Sequence, residues 1–128
     1  MADKKVVLIA DDDPALRKGM ETKLTGSGFE CKLAADGEEA INIALEEHPD
    51  LIIMDQLMPK FTGLAAIKRI RADFDWGRHV PIIVMTNVAE GTSAHRELLL
   101  VSNRYFVKSN TSLDELVSTV KQMLGVES

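Results

Sequence analysis

The sequence predicts a doubly wound α/β domain, in which a five-stranded parallel sheet carries helices on both faces. Two observations predict it: short solid runs of apolar residues alternate with amphipathic helical patterns five times, and the runs are rich in valine and isoleucine. Strands buried on both faces have this continuous hydrophobic character, which is typical of parallel sheets covered by helices. Right-handed crossovers leave few other topologies. We expect all 128 residues to form one domain, residues 1–128, without a linker.

Five apolar runs are the predicted strands, and amphipathic stripes separate them. The runs span residues 6–10, 29–35, 51–54, 80–85 and 105–107. Between them, apolar residues recur at spacings of three and four, which predicts helices with one buried face. The clearest stripes are Leu16, Met20 and Leu24 in the first helix, Ala40, Ile43 and Ala44 in the second, Leu64, Ile67, Ile70 and Phe74 in the third, and Leu113, Leu116, Val117, Val120 and Leu124 in the fifth.

Capping residues agree with these helix boundaries. Asp13 followed by Pro14 is an N-cap with proline at the first helical position. Pro49 ends the second helix, because a residue before proline resists helical geometry. Thr111 or Ser112 caps the last helix.

Composition excludes several classes of protein. The net charge is −5, and no run of lysine and arginine is dense enough to follow a phosphate backbone, so we expect no direct contact with nucleic acid. The single cysteine rules out an intramolecular disulfide and suits a reducing compartment. No apolar run approaches the roughly 20 residues that cross a bilayer, and no signal-peptide pattern is present. We therefore expect a cytoplasmic protein that does not enter a membrane.

Reactive side chains stand where the predicted strands end. The first strand ends in Asp11 and Asp12, the third in Asp55, the fourth in Thr86 and the fifth in Lys108. The second strand ends in turn residues alone. In open parallel sheets the ligand site lies beyond the carboxyl ends of the strands, where strand order reverses. The strand order 2-1-3-4-5 would place the second strand outside this crevice and bring the other four ends together.

These residue types suit the chemistry of phosphoryl groups. Two or three carboxylate oxygens plus water are ligands that Mg²⁺ prefers, whereas the chain has no histidine and cysteine cluster for Zn²⁺. Each carboxylate pair at ~4 Å costs about 4 kcal/mol at an effective dielectric near 20, so a cation would relieve the crowding. A carboxylate can also attack phosphorus, and a lysine and a hydroxyl can stabilise the transferred oxygens.

Simpler explanations exist for each residue taken alone. The acidic row 11–13 could merely cap a helix, since helix N-termini favour carboxylates. Thr86 could be a turn residue, and Lys108 could lie on the surface. The combination of all five positions at one predicted edge favours a site over these explanations.

The chain resembles the receiver domains of two-component response regulators over essentially its whole length. The resemblance rests on five pieces in order, namely residues 8–14 with Arg17, residues 35–40, residues 49–55 with Met58, Pro59 and Gly63, residues 81–86, and residues 105–108. The family has a CheY-like, flavodoxin-like fold with strand order 2-1-3-4-5, so that order is implied by the resemblance as well as by the strand ends.

The resemblance implies a role for each strand-end residue. Asp55 corresponds to the phosphoryl acceptor. Asp12 corresponds to a direct Mg²⁺ ligand and Asp11 to a ligand acting through water. The backbone carbonyl of Leu57 completes the set of ligands that the protein contributes. Lys108 would pair with the phosphoryl group.

Two further positions correspond to the conformational switch of the family. Thr86 would donate a hydrogen bond to the phosphoryl group, and Tyr105 matches an aromatic residue that swings inward when the threonine moves. Fixed packing of Tyr105 is the alternative. Asp13 is assigned to helix capping and not to the metal.

Five positions depart from the usual family pattern. Ser109 follows Lys108 where the family usually has proline, often after a cis bond, and we expect trans geometry or a strained loop here. Asn87 replaces a small residue after Thr86, and its amide could contact a phosphoryl oxygen or narrow access. Residues 103–104 lack the usual glycine, and Gln56 is polar where an apolar residue is common.

The sequence is compatible with three functions. The first is a signalling switch, phosphorylated by a sensor histidine kinase, which engages a target protein or an output domain. The second is a Mg²⁺-dependent phosphatase with an aspartate nucleophile, although Leu57 stands where a second carboxylate would be expected. The third is a pseudo-receiver that binds partners without phosphorylation. Whether the chain acts alone or belongs to a longer regulator stays open.

The fourth helix contains an excess of apolar residues. Leu98, Leu99, Leu100 and Val101 are consecutive, which is more than one buried face requires. Either the helix is well buried, or it exposes a patch for a partner or for a homodimer through the fourth helix, fifth strand and fifth helix.

Overall fold

Five parallel strands in the order β2-β1-β3-β4-β5 form the centre of the molecule, which confirms the predicted fold class and strand order. The computed structural model describes residues 4–126, so residues 1–3 and 127–128 of the predicted domain lie outside the described residues. The strands are β1 (Val6–Ala10), β2 (Glu30–Ala34), β3 (Leu51–Met54), β4 (Ile82–Thr86) and β5 (Arg104–Val107).

The helices connect the strands in strict alternation. They are α1 (Pro14–Gly26), α2 (Gly37–Glu47), α3 (Gly63–Arg71), α4 (Ser93–Val101) and α5 (Leu113–Leu124), and a 3₁₀ turn, Lys108–Asn110, precedes α5. Among the described residues, no helix is both long enough and apolar enough to cross a membrane.

Two hydrophobic cores lie on opposite faces of the sheet, because successive strand residues point to opposite sides. Leu8 and Ala10 of β1 pack with the buried faces of α2, α3 and α4. Val7 and Ile9 of the same strand pack with α1 and α5. The central strands are therefore buried on both faces, as their solid apolar sequences predicted.

Side-chain caps fix where the helices begin at the carboxyl edge of the sheet. Asp13 Oδ1 accepts hydrogen bonds from the backbone N–H groups of Ala15 and Leu16, at 3.0 and 3.3 Å. Ser112, rather than Thr111, caps α5. The turn Lys108–Asn110 occupies the chain between β5 and that cap.

Arg71 connects the start of β4 to the ends of α3 and α4. Its guanidinium donates to the backbone carbonyls of Gly77, Val80 and Val101, at 3.0, 2.6 and 3.1 Å. It also donates to Asn103 Oδ1, at 3.0 Å. The same Asn103 oxygen accepts from the backbone N–H of Ile82, so this departure from the family pattern supports the first residue of β4.

The predicted burial of Phe74 was wrong. Phe74 was assigned to the buried stripe of α3, but α3 ends at Arg71 and the Phe74 ring is 76% exposed, with the Arg78 guanidinium over it. After the helix the chain turns back, and Gly77 packs against the carbonyl of Ile70 so closely that a Cβ would not fit. The spacing of apolar residues in the sequence does not predict a turn of this kind.

The fourth helix buries only one of its consecutive leucines. Leu98 is buried, whereas Leu99 and Leu100 are 48% and 85% exposed. A helix resting on a sheet buries one face, and three consecutive residues span more than half a turn. The well-buried alternative for this helix is therefore wrong.

Candidate functional site

The carboxyl ends of β1 and β3 bring three aspartates together. Asp11 and Asp55 each follow a strand, and their backbone N–H groups still bond to the neighbouring strands, at the carbonyls of Ala34 and Ala10. Asp12 is the next residue after Asp11. One carboxylate oxygen from each of the three aspartates lies within 4.8 Å of the others. β1 and β3 adjoin in the sheet although β2 follows β1 in the chain, so this is the point of strand reversal.

Lys108 lies between two of these carboxylates. Its Nζ is 2.7 Å from Asp55 Oδ2 and 2.8 Å from Asp11 Oδ2. The lysine side chain is 16% exposed, and the two carboxylates are nearly buried. Burial alone would lower the pKa of Lys108, but its hydrogen bonds to Asp11 and Asp55, with their charges, raise that pKa above its ordinary value. The ammonium therefore stays charged inside the acidic cluster.

Backbone hydrogen bonds fix the orientation of the two buried carboxylates. Asp55 Oδ1 accepts from the backbone N–H of Gln56 at 2.7 Å, and Asp11 Oδ1 accepts from that of Asp13 at 2.9 Å. Burial raises the pKa of Asp11, although its hydrogen bonds to Lys108 and Asp13 oppose the rise. A buried carboxylate with a raised pKa is stabilised by any additional cation.

The remaining predicted metal ligands lie at the outer side of the cluster. Asp12 is exposed. The Leu57 side chain is 65% exposed, and only its backbone carbonyl was assigned to the site. No measured contact tests that assignment, which stays a prediction.

Thr86 and Tyr105 reach the same side of the sheet from β4 and β5. Tyr105 pairs in register with Val84, and Thr86 lies two residues further along β4, so both side chains point to one face. The Thr86 Oγ1 and Tyr105 Oη atoms are buried, and neither has a hydrogen-bond partner among the described residues. Such groups carry a desolvation penalty of about 1–3 kcal/mol each, which a ligand or a rearrangement can relieve.

The Tyr105 ring packs at the edge of the His95 imidazole. The ring centroids are 5.2 Å apart and the planes are nearly perpendicular, at 86°. Burial raises the pKa of the Tyr105 phenol, and the charges of Glu90 and Asp55 add to the rise. The phenol is therefore neutral and partly buried beside the acidic cluster.

Sequence reasoning gave no role to Gln56, which fastens the Asp55 loop to α3. Its Oε1 accepts from the backbone N–H of Leu64 at 2.7 Å, and its carbonyl accepts from that of Gly63 at 3.0 Å. Gly63 packs against the carbonyl of Asp55 so closely that a Cβ would not fit. The polar residue after Asp55 was the signal that could have indicated this role.

The residues after Thr86 and Lys108 meet each other. Asn87 Oδ1 accepts a hydrogen bond from the backbone N–H of Ser109, at 2.9 Å. The described residues contain no cis peptide bond, so the bond between Lys108 and Ser109 is trans, one of the two geometries expected.

Fold and site together define a class of protein: a doubly wound α/β domain whose strand ends gather carboxylates, a lysine and a hydroxyl at the reversal point of the sheet. The chain belongs to the response regulator receiver domain family, whose model matches residues 7–121. It is therefore a receiver domain of the two-component response regulators, a signalling module.

Individual relatives agree with this assignment. A probable transcriptional regulator, ycf27, of Cyanophora paradoxa is 35% identical over 95% of this chain and 49% of its own length. The chemotaxis response regulator CheY4 of Vibrio cholerae has a TM-score of 0.85 and 28% identity, with 95% of this chain and all of that chain covered.

A third relative contains a metal ion. The receiver domain of the sensor histidine kinase PA1611 from Pseudomonas aeruginosa, with magnesium coordinated in its active site cleft, has a TM-score of 0.85 and 30% identity. The match covers 96% of this chain and 99% of that one. The present chain spans about half the length of the ycf27 relatives it matches.

Proposed function

We propose that the chain is a cytoplasmic phospho-accepting switch in which Asp55 receives a phosphoryl group from a sensor histidine kinase. The arrangement of Lys108 between Asp55 and Asp11 is the observation that carries the proposal. The buried Thr86 hydroxyl at the end of β4, which has no hydrogen-bond partner among the described residues, supports it. Phosphoryl transfer requires a positioned nucleophile and positive charge around the transferred oxygens, and these residues supply both.

The nucleophile is the Asp55 carboxylate. An Asp55 oxygen forms a bond to phosphorus while the bond from phosphorus to the kinase histidine breaks, and the imidazole nitrogen keeps the electron pair. The Gln56 N–H holds one Asp55 oxygen in place at 2.7 Å. The carboxylate therefore does not need to reorient before attack, which reduces the entropic part of the barrier.

The acidic cluster fits Mg²⁺. Its donors are hard carboxylate oxygens from Asp11, Asp12 and Asp55, within 4.8 Å of one another, and Mg²⁺ shares such partial sets with waters and phosphate oxygens. The backbone carbonyl of Leu57 would complete the set. A bound Mg²⁺ would supply positive charge beside the phosphoryl oxygens.

Lys108 and Thr86 stabilise the phosphorylated state. Lys108 exchanges its contact with Asp55 Oδ2 for one with a phosphoryl oxygen, while it keeps Asp11. The Thr86 hydroxyl donates to another phosphoryl oxygen and so gains the partner that it lacks. Both hydrogen bonds have a charged phosphoryl acceptor, which makes them stronger than neutral ones, and the Thr86 bond is gained without loss of another.

Movement of Thr86 alters the outer surface through Tyr105. The two side chains share a face, and the buried Tyr105 Oη has no hydrogen-bond partner among residues 4–126, so no hydrogen bond opposes a change in the ring position once the threonine shifts. The altered surface comprises α4, β5 and α5, and it includes the exposed Leu99 and Leu100. We infer that a target protein or an output domain, or a second copy of the chain, binds there.

Incubation with acetyl phosphate and Mg²⁺, followed by intact-mass measurement, tests the proposal. The chain should gain one phosphoryl group, Asp55→Asn should gain none, and Asp13→Asn should gain one because Asp13 only caps α1. A protein that takes no phosphoryl group and ignores Mg²⁺ would be a pseudo-receiver. Repeated hydrolysis of a small phosphate ester would instead indicate a phosphatase.

A further inference from the structure

Two departures from the family pattern contact each other in this chain. Asn87 follows the last residue of β4, and Ser109 follows Lys108. The backbone N–H of Ser109 donates to Asn87 Oδ1 at 2.9 Å, although the residues are 22 positions apart. Proline at position 109 would have no N–H to donate, so the serine and the asparagine form a matched pair.

The Asn87 side chain extends the sheet beyond its last backbone pair. The ladder between β4 and β5 ends where Thr86 is in register with Val107. The chain then leaves the sheet in the 3₁₀ turn Lys108–Asn110. The amide oxygen of Asn87 takes the place of a backbone carbonyl there and adds one cross-strand hydrogen bond past the end of the ladder.

Hydrogen bonds hold this turn on both sides. Ser109 and Asn110 are exposed, and Lys108 is partly buried. On its other side, Thr111 Oγ1 donates to the carbonyl of Val107 at 2.8 Å, and the Thr111 N–H reaches the carbonyl of Lys108 at 3.4 Å. The Asn87 contact therefore adds a second tie from β4 to the segment that carries Lys108, beyond the ladder pair of Thr86 and Val107.

We propose that Asn87 is a positioning residue that holds the Lys108 ammonium between Asp55 and Asp11 by tethering the backbone of Ser109. The Lys108 Nζ lies 2.7 and 2.8 Å from two carboxylates, and a backbone fixed by Asn87 lowers the number of side-chain conformations that must be searched to keep both contacts. The consequence for phosphoryl transfer rests on the proposed function, because Lys108 acts there on the transferred group.

The Oδ1 atom of Asn87 is occupied by the backbone N–H of Ser109. This contact gives Asn87 a structural route to the site through the backbone next to Lys108. The matched variants follow from the geometry: Asn87→Ala removes the acceptor, whereas Ser109→Ala keeps the backbone N–H and therefore the hydrogen bond. Both residues are exposed, so neither change opens a cavity.

The first measurement is the rate of phosphorylation by acetyl phosphate at saturating Mg²⁺. Loss of one hydrogen bond of ordinary strength should slow Asn87→Ala by roughly 3- to 10-fold, and Ser109→Ala should match the unaltered chain. An unchanged rate in Asn87→Ala, or an equal loss in Ser109→Ala, would overturn the proposal.

Comparison of Lys108→Ala with the double variant Lys108→Ala, Asn87→Ala tests whether Asn87 acts through Lys108. In a Lys108→Ala background the added Asn87→Ala change should have no further effect on the residual rate, because the group that it positions is absent. The same fold loss with and without Lys108 would show that Asn87 acts independently and would contradict the proposal.

Nuclear magnetic resonance separates this proposal from the proposed function. In the unphosphorylated protein, Asn87→Ala should speed exchange of the Ser109 amide and shift the Lys108 Nζ resonance towards that of a solvated lysine, while Ser109→Ala should preserve the Nζ resonance. If the chain accepts no phosphoryl group at all, the proposed function fails, and these resonances still decide the positioning role. An unmoved Nζ resonance in Asn87→Ala would refute it.

Discussion

Asp12 is the carboxylate whose removal should stabilise the metal-free protein. Asp11 and Asp55 are both paired with Lys108, whereas Asp12 makes no ion pair within residues 4–126. It adds a third negative charge to the cluster without a cation of its own. Asp12→Asn removes that charge and keeps the shape of the side chain, so it isolates the electrostatic contribution.

The size of the effect follows from the geometry. At the 4.8 Å limit of the cluster, two like charges repel by about 0.9 kcal/mol in water and by about 3.5 kcal/mol at an effective dielectric near 20. Because Asp12 is exposed, the lower figure applies. Its two repulsive pairs are offset in part by Lys108, which leaves a gain of about 1 kcal/mol. For a domain of this size, that gain corresponds to a melting temperature higher by about 4 °C.

Thermal melts with and without Mg²⁺ measure the effect. Mg²⁺ at 100 times its dissociation constant should stabilise the unaltered chain by about 2.7 kcal/mol, and a tenfold weaker site in Asp12→Asn would gain only about 1.4 kcal/mol. Asp13→Asn is the matched control, because it changes the net charge equally and keeps the α1 cap.

Two results would refute this reasoning. If metal-free Asp12→Asn melts at a lower temperature than the unaltered chain, the cluster is not under electrostatic strain. If Asp13→Asn raises the melting temperature as much as Asp12→Asn, the effect belongs to the net charge and not to the cluster. A full Mg²⁺ response in Asp12→Asn would also exclude Asp12 as a ligand.

Three further predictions concern stability and association. Gly63→Ala should lower the free energy of unfolding by about 3 kcal/mol, because its Cβ would meet the carbonyl of Asp55, whereas Gly26→Ala, with open space around it, should not; urea melts compare them. Arg71→Met should cost about 2–3 kcal/mol in the same assay, since it removes the donor for three carbonyls. Leu100→Ser should leave the melting temperature unchanged but weaken self-association of the phosphorylated chain in sedimentation, because Leu100 is 85% exposed.

The convergence of the strand ends could be predicted because it depends on topology. Once β1 and β3 are parallel neighbours, Asp11 and Asp55 must follow their strands at the same edge. The cap of α1 by Asp13 was predictable for a similar reason, since it depends on residues next to one another in the chain.

Contacts between loops could not be predicted in this way. The pairing of Asn87 with Ser109 joins two segments 22 residues apart, and the Gln56 contact with Leu64 depends on how one loop turns. Phe74 is exposed because it lies beyond the end of α3, in a segment where Gly77 approaches the backbone of Ile70. Each of these contacts depends on side-chain geometry that no periodic pattern encodes.

The sequence by itself determined the α/β class and the polar residues that follow the strands, because hydrophobic periodicity and strand ends are local properties of the chain. The strand order was implied by those strand ends together with the resemblance to receiver domains. The tertiary structure alone decided that Lys108 reaches both Asp11 and Asp55, and that the buried Thr86 hydroxyl has no hydrogen-bond partner within residues 4–126. Hydrogen bonds depend on tenths of an ångström, and only the packed strands and loops fix positions to that accuracy.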